Sequence, residues 1–327
     1  MVNFVLEEKI KLNWISVFVL SLFFFFSPKI SEAFDEKVLA SVVTVIPKHF
    51  SSERGNKVQL KSRQAPEGTG VAIFEKGFLV TNAHVLGKAT SAYIRLENGR
   101  LSDAAIVAQD IFTDIALLKV DLDIPVLHPA KSASLGSSVC AIGNQFGLGL
   151  SVSCGVISAL NRTGVGFNPI EDFIQTDTVV NPGASGGALI NNNGQLVGLI
   201  SAIFTKGSDS NIGVNFATSI DMVFRVAMDL KEFGYVKRGK SGLRVTALSK
   251  EKRYNSNGVI INYIKKGGAA FKAGLQEGDI ITKIGNRLII KPTDVSSAFH
   301  KYKPLQSITI EYVSKKKRLS TNILLLP

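Results

Sequence analysis

Residues 181–190 read NPGASGGALI, and this run of small residues surrounds a single serine, Ser185. Glycine permits backbone conformations that a Cβ atom would obstruct, so Gly183, Gly186 and Gly187 predict a tight turn. A serine on such a turn is either a nucleophile or a small residue of a loop. The stretch alone leaves both interpretations open, and the decision depends on residues elsewhere in the chain.

Two upstream stretches supply the partners that a nucleophilic serine needs. TNAHV ends an apolar run with His84, and FTDIALLKV places Asp114 before another apolar run. A histidine can accept the serine proton, and a buried carboxylate fixes the tautomer of that histidine. Each residue alone has a structural role as its alternative, but the chain order His84, Asp114, Ser185 matches the chymotrypsin-type triad. We therefore predict these three as catalytic residues, with the N–H groups of Gly183 and Ser185 as the oxyanion hole.

The hydrophobic pattern around these stretches changes along the chain. From Gly68 onward, short apolar runs alternate with turn signals, which is typical of an all-β sandwich or barrel. Residues 219–234 instead repeat their apolar positions at a helical period, with Ser219 as the N-cap and Gly234 after the last turn. The pattern predicts a mainly β protein with a helix at residues 219–234, which marks a boundary between two domains.

This boundary defines the domains that the sequence predicts. Residues 34–234 form the first domain, with the linker helix at about 219–234 as its end, and residues 235–327 form a smaller second domain. In the second domain, short strands surround one helix predicted at 293–302. The hydrophobic fraction of 45% supplies enough apolar side chains for both cores.

The first 33 residues are typical of a secretory signal peptide. Lys9 and Lys11 precede an apolar run from Trp14 to Phe26, and a small-x-small pattern ends at Ala33. A retained membrane anchor is the alternative. The run is shorter than the roughly 20 apolar residues that span a bilayer, so we expect export to the periplasm with cleavage near Ala33.

Positive charge is concentrated in the second domain. The whole chain carries +12, whereas residues 235–327 hold 19 Lys and Arg against 5 Asp and Glu, a net of +14. Such asymmetry indicates an anionic partner, and export argues against nucleic acid. Acidic peptides, a C-terminal carboxylate and an anionic membrane surface remain as candidate partners, beside ordinary solvated lysines.

Two cysteines, Cys140 and Cys154, are too few for a disulfide scaffold. If their flanks form a hairpin about Gly147, the two face each other, and an oxidising compartment would allow a disulfide. Two small buried side chains are an equally good interpretation. The sequence leaves this choice open.

Taken together, the chain resembles the HtrA (Deg) family of exported serine proteases. GTGVAIF, GFLVTNAHV, DIALLKV, AIGNQFGLGLSVSCGVISAL and FIQTDTVVNPGASGG match the family pattern in order, over nearly all of residues 36–327. The resemblance implies a trypsin-like double β-barrel with the triad at the barrel interface. It also implies a homotrimer. We predict neither a metal nor a cofactor. Relatives commonly carry asparagine at the position of Ala184.

The resemblance also places the residues that select the substrate. Val179 aligns with the base of the primary specificity pocket, where a basic substrate side chain would bury an unpaired charge. We therefore predict cleavage after small aliphatic residues. Ser201, Ala202 and Ile203 are expected to pair their backbone with the substrate as an added strand.

The second domain resembles a circularly permuted PDZ domain, a small α+β unit, through its AGL and GDII stretches. Such domains bind a peptide C terminus by strand addition, and backbone N–H groups cradle the carboxylate. This carboxylate loop maps to Lys240, Ser241, Gly242 and Leu243. Relatives usually have a more apolar pair before the glycine.

Three functions follow as hypotheses. The first is an ATP-independent periplasmic serine endopeptidase that degrades unfolded or misfolded proteins, as in protein quality control under stress. The second is a regulatory site-specific protease activated by a peptide at the PDZ domain, which a retained anchor would favour. The third is a chaperone or peptide-binding module with little proteolysis, which an intact triad argues against.

Overall fold

The structure is a computed structural model. It describes residues 36–48, 67–75, 77–203, 212–253 and 256–327. The signal peptide predicted at 1–33, with its cleavage site near Ala33, lies outside these residues. No helix in the described ranges is both long and apolar enough to cross a membrane.

The first half of the chain forms a closed six-stranded barrel with strand order β1-β2-β3-β6-β5-β4. Alternate residues of each strand point inward, so Val43, Val45, Leu79 and Leu118 fill the barrel with no exposed surface. Two short helices flank the first strands: α1 (Glu36–Ala40) precedes β1, and α2 (Ala83–Leu86) follows β3. The strands are β1 (Val42–Lys48), β2 (Gly68–Ala72), β3 (Phe78–Thr81), β4 (Ser91–Arg95), β5 (Leu101–Asp110) and β6 (Ile115–Val120).

A second closed barrel follows, with strand order β10-β11-β12-β9-β8-β7. Its core contains Ile157, Ile174 and Leu189. Together the two barrels confirm the predicted mainly β, chymotrypsin-like fold. A 3₁₀ turn at Gln145–Gly147 lies between the first two of its strands. The strands are β7 (Ser138–Gly143), β8 (Ser151–Arg162), β9 (Phe173–Thr176), β10 (Ala188–Asn191), β11 (Leu196–Ile203) and β12 (Asn215–Ser219).

A disulfide joins neighbouring strands of the second barrel. Cys140 on β7 lies directly opposite Cys154 on β8, and the two are bonded. The hairpin between them carries residues 144–149, which we call the 144–149 loop. The structure thus favours the disulfide over two free thiols. The disulfide anchors the base of this loop.

The helix predicted at the domain boundary is α3 (Ile220–Phe233). The Ser219 hydroxyl accepts a hydrogen bond from the N–H of Met222, and Gly234 ends the helix with φ of 74°. The helix buries its apolar face, and Phe224 meets Phe74 of the first barrel edge to face at 5.2 Å. This packing returns the chain from the second barrel to the first.

The second domain is a six-stranded sheet with two short helices and one longer helix. Its strands follow the order β13-β14-β15-β17-β18, and β16 pairs with β15. The helix expected at 293–302 is present over 292–300. The strands are β13 (Leu243–Ala247), β14 (Val259–Ile264), β15 (Ile280–Ile284), β16 (Arg287–Leu288), β17 (Ser307–Ser314) and β18 (Lys317–Leu324), and the helices are α4 (Lys250–Arg253), α5 (Ala269–Lys272) and α6 (Pro292–His300).

A buried ion cluster joins the second barrel to the second domain. Asp172, which is 1% exposed, lies 2.6 Å from Nη1 of Arg287 and 2.8 Å from Nζ of Lys301. Burial alone would raise the pKa of the Asp172 carboxyl, but Lys301 and Arg287 outweigh burial and hold this pKa below its ordinary value. The carboxylate is therefore charged, and it depends on both partners.

Replacement of Arg287 by alanine should destabilise the protein strongly, because the buried carboxylate of Asp172 loses one of its two cationic partners. We expect a loss of about 3–5 kcal/mol in the free energy of unfolding, measured by urea denaturation. The control is Lys283→Ala, which removes an exposed pair with Glu311 and should cost less than about 1 kcal/mol. Because the pKa of Asp172 is lowered by folding, the cluster's contribution should be present above pH 3.8, the ordinary pKa, and be lost as the pH falls below it. Equal losses for the two variants would contradict this account.

Candidate active site

His84 and Asp114 meet at the end of two strands of the first barrel. His84 lies on α2, just after β3, and Asp114 directly precedes β6. The ring Nδ1 of His84 is 2.6 Å from Oδ2 of Asp114, and the main-chain N–H of His84 donates to Oδ1 at 2.8 Å. One carboxylate thus orients both the ring and the backbone of the histidine. Half of the His84 side chain remains exposed to solvent.

Asp114 adopts a backbone conformation that few non-glycine residues adopt. Its φ is 58°, in the left-handed region. Its carbonyl oxygen accepts hydrogen bonds from Nδ2 of Asn82 at 3.0 Å and from the N–H of Ala83 at 3.2 Å. These bonds hold the aspartate in place next to α2, so local strain is balanced by contacts that also position His84.

The turn around Ser185 depends on its glycines, as the sequence predicts. Gly183 has φ of 95°, and a Cβ atom there would clash with the carbonyl oxygen of Asn144. Gly186 has φ of 83°, and a Cβ atom there would clash with the carbonyl oxygen of Thr69. No other residue type could bring the turn this close to its neighbours.

The peptide between Pro182 and Gly183 is fixed by the 144–149 loop. The carbonyl oxygen of Pro182 accepts a hydrogen bond from the N–H of Phe146 at 2.7 Å. In a trans peptide the N–H points away from the carbonyl, so the N–H of Gly183 is directed away from this loop. Neither this N–H nor that of Ser185 donates to any residue that the structure describes. Two N–H groups are therefore available for an oxyanion, as the predicted role of Gly183 and Ser185 requires.

Thr69 connects this turn to the first barrel. Its hydroxyl donates to the carbonyl oxygen of Gly183 at 2.7 Å and accepts from the N–H of Asn144 at 2.9 Å. Its main-chain N–H donates to the carbonyl oxygen of Ser185 at 2.8 Å. Sequence reasoning missed both Thr69 and Asn144. The sequence shows only a threonine in an otherwise apolar run, GTGVA, and its complete burial is evident from the structure alone.

A carboxylate on the first barrel holds Asn144 in turn. Glu67 accepts Nδ2 of Asn144 at 2.7 Å and forms two hydrogen bonds with Arg95, at 2.9 and 2.6 Å. Hydrogen bonding to Arg95 lowers the pKa of Glu67. Asn144 also accepts the N–H of Gly149 through Oδ1, which closes the 144–149 loop. The turn is thus braced from outside itself, although Ala184 carries no polar side chain.

A cavity of about 540 Å³ lies next to the pair of His84 and Asp114. Its lining includes His84, Asp114 and Ser201. Ser185 lies beside it, because the N–H of Gly186 donates to the carbonyl oxygen of Ile200, the neighbour of Ser201, at 2.8 Å. No hydrogen bond joins the Ser185 hydroxyl to His84 within the described ranges. Catalytic hydrogen bonds are often long before substrate binds, so this geometry is compatible with a triad.

Comparison with known proteins gives the family. Residues 68–199 match the trypsin-like peptidase domain family, and residues 239–325 match the PDZ domain family. The chain is 33% identical over 313 residues to the periplasmic pH-dependent serine endoprotease DegQ of Escherichia coli (strain K12), covering 89% of this chain and 69% of DegQ. In solved structures it is similar to the HtrA-type protease AlgW with a tripeptide, with a TM-score of 0.69, 30% identity, and coverage of 89% of this chain and 95% of AlgW. The chain belongs to the HtrA family of serine proteases.

Other HtrA relatives extend beyond the region that this chain matches. The periplasmic serine endoprotease DegP of Escherichia coli (strain K12) is 39% identical over 232 residues. That alignment covers 68% of this chain and 49% of DegP. The chain therefore spans about half the length of DegP.

The expected substrate edge of this HtrA chain lies on β11. Pairing with β10 ends at Leu199, whereas Ala202 and Ile203 pair with β12 on the other side. One edge of residues 201–203 thus has no strand partner within the part of the chain that the structure describes. Val179 is half exposed and lies near the 144–149 loop, because its carbonyl oxygen is 3.5 Å from Nε2 of Gln145. Its place in a specificity pocket stays a prediction.

The PDZ domain holds a second cavity, of about 640 Å³, between β13 and α6. All four predicted carboxylate-loop residues, 240–243, line it. The N–H and the carbonyl of Lys240 are already paired with Leu326, at 2.7 and 3.1 Å. The N–H groups of Ser241 and Gly242 donate to no described residue. Among these residues, Ser241 and Gly242 therefore offer free main-chain donors, and Lys240 offers only its side chain.

Removal of the Thr69 hydroxyl should lower the rate of cleavage. In Thr69→Val, the carbonyl of Gly183 and the N–H of Asn144 lose their shared buried partner, which costs about 1–3 kcal/mol and loosens the oxyanion turn. We expect kcat for a short peptide substrate to fall about tenfold or more, with KM little changed. Thr69→Ser keeps the hydroxyl and should retain most of the activity. Wild-type kcat in Thr69→Val would contradict the role given to this contact.

Proposed function

We propose that this chain is an exported serine endopeptidase with Ser185 as its nucleophile. The contact of His84 Nδ1 with Asp114 carries the proposal, because it fixes the tautomer that leaves Nε2 free. Nε2 of His84 takes the Ser185 proton as the hydroxyl attacks the scissile carbonyl, and later gives it to the leaving amine. The N–H groups of Gly183 and Ser185 stabilise the oxyanion.

The substrates we propose are unfolded or misfolded polypeptides. Strand addition along residues 201–203 needs an extended segment with free backbone groups, which folded proteins rarely offer. A small aliphatic residue before the scissile bond suits a pocket in which Val179 supplies no carboxylate. The endopeptidase activity named for DegQ and DegP supports this choice of reaction.

Membership of the HtrA family supports the remaining assignments that we propose. Residues 1–33 act as a cleaved signal, residues 34–234 as the protease domain and residues 235–327 as the PDZ domain, in a periplasmic homotrimer that takes part in stress response and quality control. The names of DegQ and DegP as periplasmic enzymes support the location. The PDZ domain binds C-terminal peptides.

Replacement of Ser185 by alanine should abolish degradation of a permanently unfolded protein such as reduced, alkylated lactalbumin. Loss of a triad member lowers kcat by about 10⁴-fold or more. Ser132→Ala, at an exposed serine outside the cleft, is the matched control and should keep full activity. Mass spectrometry of the fragments should place small aliphatic residues before the cleaved bonds. Degradation by Ser185→Ala would contradict the assignment of Ser185 as the nucleophile. Cleavage mainly after Lys or Arg would contradict the proposed specificity pocket.

A regulatory protease is the second candidate, favoured by the charge of the PDZ cavity. Lys240, Lys265 and Lys266 line it, and none of them forms an ion pair with any residue in the described ranges. No Asp or Glu side chain is among the described residues that line the cavity. A C-terminal peptide with acidic residues near its end would therefore bind better than a neutral one, and its binding would adjust proteolysis.

The lysines should set the charge preference of the PDZ cavity. In Lys265→Gln/Lys266→Gln, binding of an acidic C-terminal peptide, measured by fluorescence anisotropy, should weaken about threefold to tenfold. Binding of the same peptide with glutamine in place of glutamate should change little. Lys315→Gln/Lys316→Gln, on the exposed turn between β17 and β18, is the control for net charge. If both double variants weaken binding equally, the preference comes from overall charge rather than from the cavity.

A further inference from the structure

A second polar connection joins the PDZ domain to the first barrel, apart from the Asp172 cluster. Arg238 lies in the segment between α3 and β13. Its Nη2 donates to Oδ2 of Asp110 at 2.6 Å, and its Nε donates to Nε2 of His300 at 2.9 Å. Asp110 is the last residue of β5, and His300 is the last residue of α6. One guanidinium therefore bridges the two domains.

At the barrel end, Asp110 fixes the turn that leads to Asp114. Its Oδ2 accepts the N–H of Thr113 at 3.2 Å and the hydroxyl of Thr113 at 2.6 Å. Both Asp110 and Thr113 are buried. The guanidinium of Arg238 also lies over the ring of Phe112, 4.9 Å from its centre. Arg238 thus contacts this turn at two points, Asp110 and Phe112, which precede the strained backbone of Asp114.

At the PDZ end, the contact requires a neutral histidine. Nδ1 of His300 is 2.8 Å from the carbonyl oxygen of Ser296, and a carbonyl can only accept, so Nδ1 carries the proton. Nε2 then accepts from Arg238. If His300 gained a second proton, two N–H donors would face each other. His300 and Ser296 both line the peptide cavity, so this contact lies at the wall of that cavity.

Taken together, the surroundings of His300 act against its protonation. Burial is the main cause that lowers its pKa below the ordinary value of 6.5, and Arg238 and Arg225 act in the same direction. The carbonyl of Ser296 and the carboxylate of Asp110 act in the opposite direction. Since folding lowers this pKa, the stability that the contact adds is complete above pH 6.5 and falls as the pH drops through the lowered value.

We propose that Arg238 is a positioning residue for proteolysis. It holds the turn that begins at Asp110 and, through this turn, holds Asp114. Protonation of His300 weakens the contact of Arg238 and therefore this hold. The proposal rests on the proposed serine-protease function. It predicts that the PDZ domain acts on the aspartate of the triad in mild acid, even with no peptide in the cavity. The effect passes through the linker, by a route that does not include the oxyanion turn.

The first test separates positioning from stability. We expect Arg238→Met to lower kcat for a short peptide substrate about tenfold to a hundredfold at pH 8, with KM unchanged, because small displacements of a catalytic group cost this much. Arg238→Lys keeps a cation for Asp110 and should recover most of the kcat. Lys303→Met is the control, since it removes a 3.7 Å contact with Asp229 that does not touch the turn. Its kcat should equal that of the wild type.

The second test concerns acid. The kcat of any enzyme with a catalytic histidine falls in acid, so the measured quantity is the ratio of kcat at pH 8 to kcat at pH 5.5. Glutamine can accept the Arg238 hydrogen bond without titrating, so His300→Gln should give a smaller ratio than the wild type, by about threefold or more. Arg238→Lys lacks the branched guanidinium that reaches both Asp110 and His300. Its ratio should therefore also be smaller than that of the wild type.

Specific results would overturn the proposal. Wild-type kcat in Arg238→Met would do so, and so would a loss of kcat in Lys303→Met as large as that in Arg238→Met. An equal pH ratio in His300→Gln and the wild type would remove the role of His300. Failure of the proposed function gives a different result, since the wild type would then show no cleavage that Ser185→Ala abolishes.

Discussion

The hydroxyl of Thr69 lies at the contact between the two barrels, where their relative position determines the catalytic geometry. His84 and Asp114 belong to the first barrel and Ser185 to the second, so the distance between base and nucleophile depends on how the barrels pack. Thr69, on the first barrel, bonds main-chain groups of the second on both sides of the serine turn. Because the hydroxyl both donates and accepts, displacement of either barrel breaks at least one bond. The catalytic geometry therefore follows from barrel packing.

Buried charges link the PDZ domain to both barrels. Asp172 and Asp110 each sit on a barrel, and each is held by a cation from the linker or the PDZ domain. Desolvation offsets much of the attraction in such pairs, and we infer that they contribute more to the specific arrangement of the domains than to total stability. Few other relative positions of the domains would satisfy both carboxylates. This makes the interface well defined and also sensitive to protonation.

The features that the sequence predicted have local signals. Alternating apolar runs indicated the barrels, the helical period with Ser219 and Gly234 indicated α3, and short motifs in a fixed order indicated His84, Asp114 and Ser185. Thr69 and Arg238 belong to no such motif, because the partners that define their roles lie 62 to 128 residues away in the chain. The carboxylate loop illustrates the same limit. Its position followed from a motif, but the pairing of Lys240 with Leu326 is long-range and could not be anticipated.

The same pairing makes closure of the PDZ domain depend on residues far apart in the chain. Leu325 is completely buried in the PDZ core, and Leu326 pairs with Lys240 at the opposite end of the domain. The domain therefore closes only when its first and last segments meet, a non-local event that slows folding relative to local hairpins. The barrels precede this segment in the chain and contain their own cores. We therefore expect the barrels to be able to form before the PDZ domain closes.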